Sequence, residues 1–126
     1  MTEKELNSLY WLTKRIKKLE WRLGELQIET GVKITGMPHS PNPSDPVLNI
    51  VERREKLIAE YIEAQSDAYE AETRIRAYID SVDDEEVKLI MEMRFLYMMS
   101  WFDIGEELNL ERTTAAKKMR KYLKEH

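Results

Sequence analysis

Between Glu111 and His126 the segment ERTTAAKKMRKYLKEH carries six Lys or Arg against two Glu, in a chain whose net charge is −4. Cations crowded onto one short segment suit a polyanion, because each Lys or Arg set against a phosphate releases a condensed counterion from duplex DNA. Read as a helix, the segment buries Ala115, Met119 and Tyr122, which recur at spacings of four and three. Thr113, Ala116, Lys117, Arg120 and Lys124 then lie on the opposite side, flanked by Arg112 and Lys121. Lys118 falls at the margin, where its stem can pack while the ammonium stays wet. The expected DNA contacts are therefore Arg112, Thr113, Ala116, Lys117, Arg120, Lys121 and Lys124. Thr113, Ala116, Lys117 and Arg120 are expected nearer the bases, and Arg112, Lys121 and Lys124 nearer the phosphates. The competing reading is plain complementation of the helix dipole, since basic residues commonly end helices.

No other residue set suggests chemistry. Cysteine is absent, so disulfides, thiolate metal sites and cysteine nucleophiles are excluded. His39 and His126 have no partner in sequence for a metal triad or a nucleophilic relay, so no enzyme, cofactor or metal is expected. From Pro46 to Met99 there are 13 Asp or Glu and seven Lys or Arg, read as a solvated helix face rather than a catalytic carboxylate pair. No stretch approaches the roughly 18 uncharged apolar residues needed to span a membrane, and no apolar run follows a basic start. A cytoplasmic protein is the expectation.

The elements that must position the basic segment read as helices. All four prolines lie between Pro38 and Pro46, leaving long proline-free stretches on either side. Leu9, Leu12, Ile16, Leu19, Leu23 and Leu26 alternate spacings of three and four, the seam of a helix packed lengthwise on another. About 28 residues make such a helix roughly 40 Å long. Tyr10, Trp21 and Ile28 fall outside the seam and imply either a second packing partner or scattered surface aromatics.

Residues 30 to 45 switch to Gly, Pro, Ser and Asn and are expected to end the helix. The Thr35-Gly36-Met37-Pro38 stretch reads as a semi-rigid connection. Ser44 or Asp45 can cap a second helix, Pro46 fits its first turn, and the pattern extends to about Ser81. Val51, Ile58, Ile62, Tyr69, Ile75 and Ile79 lie on or near one face of it. The expected architecture is all-α: a long antiparallel, coiled-coil-like hairpin over residues 1–81 with its Pro-rich connection at 30–45, then a separate domain over 82–126.

Within 82–126, four acids from Asp83 to Glu86 favour a helix start. Val87, Leu89, Ile90, Met93, Arg94, Leu96 and Tyr97 give a short amphipathic helix, with the methionines read as core filler. Ser100 caps the next helix, WFDIGEEL, with Asp103 at the reciprocal position of a capping box. That helix packs through Trp101, Ile104 and Leu108; Gly105 allows close approach, Asn109 tolerates a left-handed turn and Leu110 plugs it. Two helices so joined are the helix-turn-helix arrangement, whose second helix enters the major groove.

DDEEVKLIMEMRFLYMMSWFDIGEELNLERTTAAKKMRKYLK resembles region 4 of sigma-70-type factors. Trp101, Ile104, Leu108, Arg112 and Thr114 match that helix-turn-helix pattern. ITGMPHSPNPSDP, with the long helix after it, resembles small phage and prophage proteins of Gram-positive bacteria, similar in layout to late-gene transcription activators of the RinA and ArpU type. The resemblance implies a phage-derived, sequence-specific regulator of transcription that binds double-stranded DNA, with RNA polymerase as a further partner and a homodimer as the working form. Two positions depart from it: Glu111 stands where the family has a Ser cap, and Ala115 where it has Val or Ile. Two alternatives stay open, namely a module that binds RNA polymerase or another protein without reading DNA, and a packaging protein like the small terminase subunits.

Overall fold

The computed structural model describes the backbone of residues 1–34 and 46–126 and the side chains of residues 1–26 and 48–126. The Thr35-Gly36-Met37-Pro38 connection, the Ser44 or Asp45 cap, His39 and the Ile28 side chain lie outside the described residues. The described elements are helical: α1 (Glu3–Leu6), α2 (Ser8–Ile34), α3 (Pro46–Asp80), α4 (Glu85–Met91), a π-helical segment (Glu92–Leu96), α5 (Trp101–Leu108) and α6 (Arg112–Glu125). Among the described residues there is no strand, and no helix is long and apolar enough to cross a membrane.

The chain divides into two compact units, one of Met1–Trp11 with Ala68–His126 and one of Leu12–Asp67. This division differs from a boundary near residue 81, because the start of the chain and the last turns of α3 belong with the C-terminal helices. The cause is apolar packing. Leu6, Leu9, Ile75, Ile79 and Val82 share one core cluster with Val87, Ile90, Met91, Phe95, Ile104, Ala115 and Met119.

In the unit of Leu12–Asp67 the expected leucine seam is the covered face of α2. Leu19 and Leu26 are buried, and Leu12, Ile16 and Leu23 half-buried. Trp21, placed outside the seam, is 65% exposed. The Tyr61 hydroxyl of α3 donates to Glu20 Oε1 of α2 at 2.8 Å. This bond is the first cause, ahead of burial, that raises the Tyr61 hydroxyl pKa above its ordinary value.

On α3 the expected face is covered at Ile75 and Ile79, which are buried, but over the earlier turns it is displaced by one residue. Val51, Ile58 and Ile62 are exposed, whereas Ile50 and Ala64 are buried and Leu57 and Tyr61 half-buried. Alanine and a hydroxyl-bearing aromatic line the packed side, so apolar strength alone misassigned the stripe. Helix α2 also runs to Ile34, past Thr30 and Gly31. A single glycine costs a helix only about 1 kcal/mol, and the first proline comes at Pro38.

In the other unit, α1 is fixed by a capping box: Thr2 Oγ1 accepts from Glu5 N–H at 3.2 Å, and Glu5 Oε2 accepts from Thr2 N–H at 2.9 Å. That short turn buries Leu6 completely. Asp84 caps α4 by accepting from the amides of Glu86 and Val87 at 3.0 and 3.2 Å. Beyond Met91 the expected amphipathic helix widens into the π segment, closed by Tyr97 N–H donating to Glu92 O at 3.1 Å. The wider turn changes the phase of the face: Phe95 is buried and Tyr97 is 68% exposed. Leu89, expected inside, is 40% exposed, while Met91 is fully buried and Met93, Met98 and Met99 pack against the core as filler.

Candidate nucleic-acid interface

Helix α5 begins where Ser100 Oγ accepts from Asp103 N–H at 3.1 Å, satisfying one of the amides a helix start leaves open. Ile104 is fully buried, with Trp101 and Leu108 packed beside it. The helix stops at Asn109, whose backbone is left-handed at φ 55° and ψ 42°. Leu110 N–H then donates to Gly105 O at 2.7 Å, folding the turn back over α5. A Cβ on Gly105 would lie 2.5 Å from Leu110 O and 3.2 Å from Arg112 N. Glycine is therefore demanded by the backbone that launches α6.

Helix α6 starts after Glu111, whose side chain makes no capping hydrogen bond, so a carboxylate stands exposed at a positive helix end. Ala115 and Met119 are fully buried and fix which side of α6 faces out. On the outside, Arg112, Thr113, Lys117, Arg120, Lys121 and Lys124 are all exposed. Ala116 is the exception among the expected contacts: it is 6% exposed. Its methyl group is too short to reach past its neighbours and lines the floor of a depression of about 520 Å3, with Trp101 and Phe102 of α5 and Thr113, Lys117 and Arg120 of α6. Phe102 is 58% exposed at its rim.

Two of the six cations are engaged by carboxylates distant in sequence. Lys118 pairs with Glu86, just inside the start of α4. Arg120 donates to Glu3 of α1 twice, Nε to Oε2 and Nη2 to Oε1, each at 3.2 Å. That hydrogen bonding, followed by the Glu3 charge, raises the guanidinium pKa above its ordinary value. Among the described residues Arg112, Lys117, Lys121 and Lys124 form no ion pair, so their charge faces solvent. A further guanidinium approaches from the π segment: Arg94 Nη1 donates to Met99 O at 3.0 Å, and its Cζ lies 4.8 Å from the centroid of the Trp101 ring.

Glu3, Glu86, Arg94 and Phe102 were not among the expected site residues. Arg94 was visible as part of an amphipathic pattern, but nothing local links Glu3 to a residue 117 positions away. His126 stacks on Tyr122 with centroids 4.1 Å apart, and among the described residues no group of three His, Cys, Asp or Glu could hold a metal ion. Comparison with protein-family models, curated proteins and solved structures gives no match.

Proposed function

We propose that the chain is a phage-derived regulator of transcription that binds double-stranded DNA in a sequence-specific way, with α5 and α6 as a sigma-region-4-like helix-turn-helix. The observation that carries this reading is the outer face of α6. Arg112, Thr113, Lys117 and Lys121 are exposed together on a helix whose orientation is set by the Gly105 contact and the left-handed Asn109. A helix so presented fits the major groove, with cations at the phosphates and Thr113 and Lys117 at base edges. The longer helices serve as an antiparallel hairpin for a homodimer, and exposed Trp21, Ile58 and Ile62 favour that role.

The test is selection from a random duplex library at about 150 mM salt, where phosphate-only binding is weak. An enriched motif is the expected result, and none, from folded protein, overturns the reading. Arg112, Lys121 and Lys124, which form no ion pair and face the phosphates, set a salt slope of roughly −2.7 per protomer, from about −0.9 for each phosphate neutralised. Lys117→Ala should relax sequence preference at the position it reads, while leaving the salt slope and the thermal midpoint nearly unchanged.

One observation favours a second reading, a module that engages RNA polymerase without reading DNA. The exposed Glu111 carboxylate at the start of α6 repels phosphate where a helix-turn-helix approaches the duplex most closely. Co-purification with polymerase and no duplex affinity would select it.

A further inference from the structure

The pairing of Arg120 with Glu3 has a specific geometry. A guanidinium offers a side fork, from Nε and one terminal nitrogen, and an end fork, from the two terminal nitrogens. Glu3 takes the side fork, through Nε and Nη2. The end fork, Nη1 with the second hydrogen of Nη2, is left by this arrangement for another acceptor pair. Arg120 follows Thr113 and Lys117 along one exposed face of α6 and shares the rim of their depression.

A guanidinium on an exposed helix ordinarily samples many rotamers. Here Glu3 is anchored by its own short helix, between the Thr2 capping box and Leu6, which is fully buried. The carboxylate is thus tied to the core by its backbone and holds Arg120 from the side.

We propose, resting on the DNA-reading function above, that Glu3 is a positioning residue that aims the end fork of Arg120 at the O6 and N7 acceptors of one guanine in the major groove. The chemistry is selective. Guanine is the base that presents two acceptors side by side to such a fork, whereas adenine sets a donor beside its N7. Phosphate also accepts an arginine fork, but its several oxygens offer an acceptor pair in more than one direction, so it demands a less exact aim. A carboxylate beside the helix is a net cost to phosphate binding, because it cancels one positive charge. It is useful only where direction matters more than charge.

The test uses the full-length protein and the duplex motif selected from the library, with each guanine replaced in turn. Affinities are measured at about 150 mM salt for wild type, Glu3→Gln, Arg120→Lys, Arg120→Ala and the Glu3→Gln/Arg120→Lys pair. Arg120→Ala should lose discrimination at one guanine by roughly 5- to 150-fold, the span of a good bidentate contact. Glu3→Gln should lower discrimination at that same guanine while affinity for unrelated duplex holds or rises, since a negative charge has gone. A merely structural role cannot produce those opposite movements. In the Arg120→Lys background Glu3→Gln should change nothing at that guanine, because an ammonium has no fork to aim.

If Arg120→Ala weakens all duplexes equally and reduces the salt slope by about 1, Arg120 is a phosphate contact and the inference fails. If the guanine preference depends on Arg120 but survives Glu3→Gln in folded protein, the inference fails while the DNA-reading function stands. If the wild type selects no motif, both fail together.

Discussion

Replacing each of two glycines by alanine should move stability in opposite directions, and the contrast tests the turn on which the proposed interface depends. At Gly105 the new Cβ would stand 2.5 Å from Leu110 O, far inside the roughly 3.5–4.0 Å at which non-bonded carbon contacts settle. The obstructing atom is backbone, and it cannot swing aside independently. Leu110 N–H is bonded to Gly105 O at 2.7 Å, and the residue before it holds a left-handed φ of 55°. Overpacking of this kind costs about 1–3 kcal/mol, and a backbone obstruction belongs at the upper end. Alanine returns about 1 kcal/mol of helix propensity, leaving a net loss of about 2 kcal/mol.

At Gly24, inside α2, nothing lies within 4 Å of the added Cβ. Only the propensity gain remains there, a stabilisation of about 0.5–1 kcal/mol. Urea denaturation followed by circular dichroism measures both, provided that the slope m is unchanged between variants. The Gly105 variant should also melt roughly 10 °C lower. If Gly105→Ala were as stable as wild type, the backbone of residues 110–112 could not pack over α5 as described, and the orientation of α6 would lose its support.

Asn109→Val, forcing a β-branched side chain into the left-handed region, should cost about 1–2 kcal/mol, whereas Asn109→Gly should be near neutral; thermal melts separate the two. Asp84→Ala removes the acceptor for two amides at the start of α4 and should lower stability by about 1 kcal/mol, read as a shift in urea midpoint. The Tyr78 hydroxyl pKa is raised, first by burial and then by the Tyr122 charge, so its neutral form is favoured in the fold. Its contribution to stability is complete below the ordinary tyrosine value near 10 and is lost as pH rises through the raised one. Denaturation midpoints across the alkaline range should therefore fall less steeply in Tyr78→Phe than in wild type.

What could be read from the sequence was whatever large side chains and special backbone residues announce locally. The leucine seam of α2, the Ser100 cap, the Gly105 approach, the Asn109 turn and the Ala115–Met119 face each follow from residues within a few positions of one another. The start of α3 at Pro46 and its end at Asp80 were legible for the same reason. The buried side of α3 is legible only at Ile75 and Ile79; earlier in the helix it is not, because Ala64 and Ala71 pack closely while adding little to an apolar pattern. The π segment is not legible either: EMRFL has no residue that signals a wider turn, and surrounding packing decides it. Ala116 looked like an outer-face residue by helical angle, but a methyl group between Trp101, Phe102 and Lys117 forms a floor rather than a contact. The ion pairs from Glu86 to Lys118 and Glu3 to Arg120 join residues far apart in the chain and required the fold itself.

Those two ion pairs bear on why the proposed interface draws on more than residues 82–126. Leu6, Leu9, Ile75 and Ile79 are 0%, 6%, 1% and 1% exposed, and they share a cluster with Ile90, Ile104 and Met119. Fully burying one aliphatic side chain contributes about 1.5–3 kcal/mol, so these four represent a large share of what a small unit has to set against chain entropy. Closing residue 6 onto residue 119 adds a loop-closure cost, but that cost grows only logarithmically with loop length and is readily exceeded by the burial. The same docking carries Glu3 to Arg120. Packing at the base of the unit and the direction of one side chain on its outer face are therefore consequences of a single event, the seating of α1. A reading confined to the basic C-terminal helix finds the charge but not the carboxylate that pairs with Arg120.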